Sequence, residues 1–184
     1  MSLNSTGVFI DGGYLSKVLK GFGYPKVSFQ KLAKWACGDT NLYRAFYYNC
    51  LPWQPPVPTP ESQEEFGKMQ SFFYTIGKIP RLTVRQGKLQ FKGYDADGKP
   101  ILNQKRVDLM LGLDIATMVF HKRVDRIALV AGDSDLLPAV MLAKEDSVLV
   151  TLVHGPAGTY HNELRDAADD PIELDSDVIQ NLLM

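Results

Sequence analysis

The chain has 184 residues, of which 45% are hydrophobic and 22% are charged, and its formal net charge is -1. This composition is that of an ordinary globular domain and excludes disordered and fibrous classes. The near-zero charge excludes a global positive field, so any binding to nucleic acid has to be local.

The first half of the chain alternates between short apolar strands and amphipathic helices. A buried strand is predicted over 8–10, where VFI runs into Asp11 and two glycines. The predicted elements that follow are helices over 14–20 and 28–36, an aromatic-rich strand over 42–50, a loop over the prolines of 51–60, and a helix over 61–76.

The second half begins with residues 81–104, whose short alternating runs are broken by QG and DADGKP and predict a β-excursion. The elements predicted after it are a helix over 106–120, a buried strand over 126–132, a helix over 136–144, a buried strand over 147–153 and an acidic carboxyl-terminal segment from 164. Continuous Ile, Leu and Val strands alternating with helices predict a parallel sheet covered on both faces. We expect one domain over residues 1–184.

The cysteines and the amino-terminal residues indicate the cellular compartment. Cys37 and Cys50 are too few for a disulfide framework and are predicted to be reduced core thiols. The opening MSLNSTG lacks a basic segment followed by an apolar run, and no apolar run is long enough to cross a membrane. We leave the first few residues out of the fold argument and expect a cytoplasmic protein without a membrane partner.

Carboxylates follow two of the predicted strands. Asp11 follows the first strand, and Asp133 and Asp135 follow the strand that ends in LVAG. The carboxyl ends of parallel strands meet at one edge of a sheet, so these side chains are expected to converge. Ser134 lies between the last two aspartates and is expected to cap the following helix.

Two further aspartates lie on one predicted helix, KRVDLMLGLDIATMVF. Asp108 is near its start and Asp114 lies six residues later. Six residues turn an α-helix by about 240°, so both face one site only if the first turn is irregular. We therefore rank Asp108 above Asp114 as a site residue.

Carboxylates that lie close together repel one another and raise one another's pKa unless a cation neutralises them. Mg²⁺ and Mn²⁺ prefer oxygen ligands and bridge to phosphate oxygens. The predicted ligands are Asp11, Asp108, Asp133 and Asp135, with Asp114 as a weaker candidate. Such a site suits hydrolysis of a phosphodiester, in which the metal activates water.

Three segments in this order, FIDGGYL, KRVDLMLGLDIA and LVAGDSDLLPAV, resemble the NYN-domain family of PIN-like proteins, particularly its bacterial LabA-like group. The closing LRDAADDPIEL extends the resemblance over most of the chain. The resemblance implies a PIN-like three-layer α/β sandwich with a mainly parallel central sheet flanked by helices. It also implies an acidic Mg²⁺ or Mn²⁺ site in which the four aspartates are catalytic, and ribonuclease activity.

The chain departs from that family at Tyr14, where many relatives carry an amide, as in IDGxN. A phenol cannot reproduce the paired donor and acceptor of an amide. Tyr14 is therefore a candidate substrate contact of altered chemistry.

A local basic segment supports binding to RNA. Residues 81–106 hold seven basic and two acidic side chains, while residues 161–184 hold seven acidic side chains and one arginine. Lys105 and Arg106, just before Asp108, are the candidate phosphate contacts, with Ser134 beside them. Phe91 and Tyr94 could stack on bases if they are exposed.

Three functions stay open: a metal-dependent ribonuclease, a non-catalytic RNA- or protein-binding regulator on the same fold, and a small-molecule phosphohydrolase. A homo-oligomer is compatible with each. A dinucleotide-binding domain and a serine hydrolase are disfavoured, because the chain has neither GxGxxG after its first strand nor a GxSxG elbow.

Overall fold

The computed structural model describes residues 4–184, so part of the amino-terminal segment left out above lies outside the described residues. Six strands form the main sheet: β1 (Ser5–Asp11), β2 (Asn41–Asn49), β3 (Leu82–Gln86), β6 (Arg126–Val130), β7 (Leu149–His154) and β8 (Asp170–Glu173). Two more, β4 (Lys88–Tyr94) and β5 (Pro100–Lys105), form a separate antiparallel hairpin.

Within residues 4–184, six helices lie between these strands and a seventh follows β8. They are α1 (Gly12–Gly21), α2 (Phe29–Ala36), α3 (Pro60–Gly77), α4 (Val107–Phe120), α5 (Leu137–Glu145), α6 (Asn162–Ala167) and α7 (Ser176–Leu182), with a short 3₁₀ turn at Ser134–Leu136. The residues at the starts of α2 and α3 explain why these helices begin there. Ser28 caps α2 by accepting from the Lys31 backbone N–H at 3.3 Å, and Pro60 occupies the first turn of α3, where its missing donor costs nothing.

The main sheet runs in the order β3-β2-β1-β6-β7-β8, and every neighbouring pair in it is parallel. The chain therefore winds from the central β1 to one edge and then returns to build the other half beside β1. The direction of winding reverses between β1 and β6, so the loops that follow these two strands separate there. The crevice between them is where this topology places a functional site.

The core lies on both faces of the sheet because alternate strand residues point to opposite sides. In β1, Val8 and Ile10 join a cluster packed under α1, α2 and α3, while Phe9 joins a second cluster under α4 and α5. The predicted sandwich of three layers with a parallel central sheet is confirmed. Cys37 and Cys50 are buried and free.

The predicted excursion over 81–104 divides in two. Its first part, β3, pairs with β2 as an edge strand of the main sheet, and only β4 and β5 leave the sheet. The sequence reasoning missed β8 and α7 in the acidic carboxyl-terminal segment. Among residues 4–184, no helix has the length and apolarity needed to span a bilayer.

Candidate acidic site at the switch point

Asp11 ends β1, and Asp133 lies three residues after the end of the neighbouring strand β6, whose last residue Val130 pairs with Ile10. The Asp11 carboxylate caps α1, accepting from the backbone N–H groups of Gly13 at 2.9 Å and Tyr14 at 3.1 Å. Asp133 caps the 3₁₀ turn, accepting from the Asp135 N–H at 3.0 Å. In both residues these bonds go to Oδ1. Backbone donors thus fix each carboxylate at the switch point and leave Oδ2 for another partner.

Burial and the charges of neighbouring carboxylates change the pKa of Asp11 and of Asp108. Burial raises the pKa of Asp11, and the charges of Asp108 and Asp133 raise it further, against the two backbone hydrogen bonds. Partial desolvation raises the pKa of Asp108, followed by the charges of Asp133 and Asp135, although its side chain is solvent-accessible. Asp11, Asp108 and Asp133 therefore lie within electrostatic reach of one another, and Asp135 lies within reach of Asp108. None of them belongs to any ion pair found within residues 4–184.

The four aspartates meet the ligand requirements of a metal ion only in part. In the part of the chain that the structure describes, no group of three or more His, Cys, Asp or Glu side chains is arranged to hold an ion by itself. Mg²⁺ commonly keeps several waters and takes only one or two carboxylates, with substrate phosphates completing its shell. Mutually repelling carboxylates that offer only oxygen fit that open mode of binding and do not form a closed cage.

Asp114 lies apart from the four aspartates. Its two carboxylate oxygens accept from Nε and Nη2 of Arg85 at 2.9 and 3.0 Å, and one also accepts from the Tyr48 hydroxyl at 2.8 Å. This bidentate pair joins β3 to α4 and satisfies the carboxylate within the protein. Asp114 has a structural role here, as the 240° separation from Asp108 suggested.

Tyr14 anchors a loop. Its side chain is 8% exposed, and its hydroxyl accepts from the Gly155 N–H at 2.9 Å and lies 3.3 Å from the Thr159 hydroxyl. This burial leaves the Tyr14 side chain little surface for a substrate, and its observed contacts are with the protein. The phenol is buried against the loop after β7, and that burial raises its pKa.

Three other predicted site residues have different outcomes. Ser134 is not the helix cap, because the backbone donor at that turn bonds Asp133 instead. Lys105 ends β5 and is exposed. Arg106 is also exposed and has a φ of 76° immediately before α4, a left-handed conformation that costs a non-glycine residue about 1–2 kcal/mol. Both cations precede Asp108 and are available to an anion.

The basic segment is smaller than the sequence suggested. Arg81 donates to the Leu42 carbonyl at 2.6 Å, and Arg85 is held by Asp114. Arg81 is nevertheless exposed, as are the basic residues of the hairpin and its exit: Lys88, Lys92, Lys99, Lys105 and Arg106.

Sequence reasoning missed two residues at the edge of the site. Cys50 directly follows β2, and its thiol lies near Gln104 and within the electrostatic reach of Asp108 and Asp11. A side chain added at Gly13 would meet Oε1 of Gln104 at 3.8 Å, so the hairpin lies over the start of α1. The position of Cys50 at the end of a strand beside β1 was the signal available in the sequence. No signal in the sequence indicated that the Gln104 side chain would reach the start of α1.

An apolar cavity of about 380 Å³ lies on the far side of Gly12. Tyr47, Phe29 and Phe72 contribute to its walls, and Asn49 lies at its border. Its volume falls in the range of pockets that bind small molecules.

Comparisons with known proteins place this arrangement in a family. The NYN domain matches residues 5–175, which is nearly the whole chain. An uncharacterized protein of Methanocaldococcus jannaschii is 30% identical over 114 residues, a match that covers 62% of this chain and 45% of that protein. The chain thus aligns with less than half of the length of this relative.

The crystal structure of a protein of unknown function from Vibrio parahaemolyticus superposes with a TM-score of 0.68 at 18% identity, covering 98% of this chain and 96% of that one. At this identity the likeness shows a shared fold. The family match, which spans all four site aspartates, shows that the chain belongs to the NYN-domain family, whose fold is that of the PIN-like nucleases.

Proposed function

We propose that this protein is a metal-dependent ribonuclease-type phosphodiesterase whose site is formed by Asp11, Asp108, Asp133 and Asp135. The observation that carries the proposal is the electrostatic contact among these carboxylates near the switch point, where burial first and the neighbouring carboxylate charges second raise the pKa of Asp11 and of Asp108. The membership in the NYN family supports it.

These residues would hold Mg²⁺ or Mn²⁺ jointly with water and the phosphate of the substrate. The bound ion would lower the pKa of a water molecule and stabilise negative charge on the phosphate and the leaving oxygen. The protein itself contributes fixed positions. Asp11 and Asp133 are held by backbone N–H groups, so their free oxygens need little reorganisation when an ion and a substrate arrive.

Binding of the RNA backbone is assigned to Lys105 and Arg106. Both are exposed, and both lie directly before Val107 and Asp108 at the start of α4. A phosphate held by these cations would be beside the carboxylates. Charge of this kind gives affinity that does not depend on sequence and weakens as salt is added.

The test is cleavage of labelled single-stranded and hairpin RNAs with Mn²⁺, Mg²⁺ or EDTA, comparing the wild type with Asp133→Asn and Asp175→Asn. Asp175 is the matched control, because it also caps a helix, accepting from the Val178 N–H at 2.8 Å, but lies at the start of α7. We expect metal-dependent cleavage by the wild type and Asp175→Asn, and its loss in Asp133→Asn. Cleavage that survives in Asp133→Asn would contradict the proposal.

The absence of cleavage by any of the three proteins would favour the non-catalytic regulator. The small-molecule phosphohydrolase is supported by one observation, the 380 Å³ cavity that borders the site at Gly12. Mononucleotides included in the same assay separate it from the polymer-specific enzyme. Equal turnover of RNA and mononucleotides would favour the cavity as the substrate site.

A further inference from the structure

Three aromatic side chains from two distant segments form a stack at the surface. Trp53, in the proline-rich loop before α3, stacks on Phe91 of β4 with ring centroids 5.0 Å apart and an interplanar angle of 11°. Tyr94, at the end of β4, meets Phe91 edge-on at 5.0 Å and 68°. Phe91 and Tyr94 remain 39% and 58% exposed. We call these three residues the aromatic platform.

The aromatic platform lies on the side of the hairpin that faces the acidic site. Leu89 is paired with Gln104 across the hairpin, and Phe91 is paired with Leu102. Directly opposed residues and residues two apart share one face of a strand pair, so Phe91 points to the same side as Gln104. Gln104 is the side chain that reaches the start of α1 beside Asp11.

The distance along the hairpin from the Leu89–Gln104 pair to Phe91 is comparable with the spacing of nucleotides in a polynucleotide. Two residues of an antiparallel strand extend about 7 Å, which separates the Leu89–Gln104 pair from Phe91. Stacked nucleotides rise about 3.4 Å each along one strand. A strand with one phosphate at the carboxylates would therefore bring a base to Phe91 within a few nucleotides.

Charge complementarity identifies the occupant. Lys88 is paired directly with Lys105, and like charges in that position repel. Neither lysine belongs to an ion pair with any residue from 4 to 184. The alternation that puts Phe91 on the side of Gln104 puts these two lysines on the opposite face of the hairpin, where they favour a polyanion around the hairpin without flanking the rings. Lys92, at the bulge between Phe91 and Tyr94, is the exposed cation nearest the rings in sequence.

The simpler interpretation is that the rings only stabilise the hairpin, since an isolated pair of strands is marginal in water. Stabilisation accounts for the contact of Trp53 with Phe91. It does not account for the 58% exposure of Tyr94 close to Lys92, which a base and its phosphate would cover.

We propose that the aromatic platform is a stacking site for unpaired bases, with Lys92 on the backbone, and that it guides a single strand into the acidic site. Stacking needs an unpaired base because the faces of bases in a duplex are covered by their neighbours. The guiding role rests on the proposed nuclease function. The binding itself does not, because it requires no metal.

The chain supplies its own reporter of this binding. It has two tryptophans, and Trp35→Phe leaves Trp53 as the single tryptophan, which can be excited selectively above the tyrosine absorption, while keeping an apolar ring where Trp35 packs against the core. We would titrate this variant with oligouridylate, oligodeoxythymidylate and an RNA duplex, in EDTA and at low salt. We expect quenching of Trp53 by both single strands and little by the duplex. Equal quenching by duplex and single strand would overturn the proposal.

Tyr94→Ala and Tyr74→Ala test the platform by affinity in the same Trp35→Phe background. Tyr74 is the matched control, because it is 68% exposed with Lys78 Nζ 4.0 Å from its ring centroid, but it lies on α3. Loss of one stacked base weakens binding about fivefold to a hundredfold. We expect that loss for Tyr94→Ala alone, with unchanged melting temperatures. Equal affinity in the two variants would also overturn the proposal.

The two proposals fail separately. Cleavage lost in Asp133→Asn together with no preference for single strands would refute the platform and leave the nuclease. Selective quenching without cleavage would retain the platform and refute the nuclease. In the second case the protein would be a single-strand binder on a nuclease fold.

Discussion

The capping role and the charge of Asp11 can be separated by two substitutions. Asparagine caps a helix about as well as aspartate, whereas alanine forfeits about 1 kcal/mol. Asp11→Asn therefore keeps the bonds from Gly13 and Tyr14 and removes only the charge. Asp11→Ala removes both. The difference between the two variants reports the cap, and the difference between Asp11→Asn and the wild type reports the charge.

The expected shifts follow from the structure. Because burial and the neighbouring carboxylates raise the pKa of Asp11, its ionised form destabilises the folded state, and Asp11→Asn should melt above the wild type in EDTA at pH 7.5. For a domain of this size, 1 kcal/mol changes the melting temperature by about 2–4 °C. Asp11→Ala should thus melt about 2–4 °C below Asp11→Asn.

Melting temperatures measured at a lower pH test the sign of the expected difference between Asp11→Asn and the wild type a second time. The folded-state pKa of Asp11 lies above the ordinary value of 3.8, so its destabilisation is present above the raised pKa and disappears as the pH falls to that ordinary value. The advantage of Asp11→Asn should therefore vanish near pH 4. Thermal unfolding followed by circular dichroism at the two pH values measures this. A melting temperature of Asp11→Asn below that of the wild type at pH 7.5 would refute the reasoning.

Three further substitutions test other parts of the site. Gly132→Ala should lower the free energy of unfolding, measured in urea, by about 1–3 kcal/mol, because the added Cβ would clash with the Tyr14 ring and lie 2.8 Å from the Thr159 carbonyl oxygen. Wild-type stability of this variant would contradict this packing. Tyr14→Phe should cost about 1–3 kcal/mol, because the buried Gly155 N–H loses its acceptor, and limited proteolysis should then cut the loop after β7 faster than in the wild type. Arg106→Gly should raise stability by about 1 kcal/mol by relieving the φ of 76°, and should weaken RNA binding in a salt-dependent manner; a loss of stability would show that this conformation carries no strain.

The sheet and the position of Asp11 and Asp133 at its edge could be predicted because their signals are local. Apolar runs such as RIALV in β6 are buried on both faces, and strands of that kind indicate a parallel sheet. Asp11 and Asp133 directly follow such runs, and parallel topology is enough to bring them to one edge. The strand β8 lacked that signal, because DPIE contains one large apolar side chain among two acids and a proline.

The roles of Tyr14 and Asp114 could not be predicted, because each depends on a partner far away in sequence. Tyr14 bonds a loop 141 residues later, and Asp114 meets Arg85 only once β3 packs against α4. A sequence pattern shows the residue type at a position and leaves its partner undetermined. The stack of Trp53 on Phe91 has the same origin, since it joins a loop to a hairpin that the pattern treats as separate.

The hairpin of β4 and β5 is an insertion whose two ends meet. Lys88 and Lys105 are paired Cα partners, and such partners lie about 4.5–5.5 Å apart. The hairpin leaves the fold after β3 and returns just before α4 without contributing a strand to the main sheet. Its length and composition can therefore change while the carboxylates stay in place. The part of the molecule that would select a ligand can therefore diverge independently of the part that would perform the chemistry, and exchanging this hairpin between relatives would test whether it sets specificity.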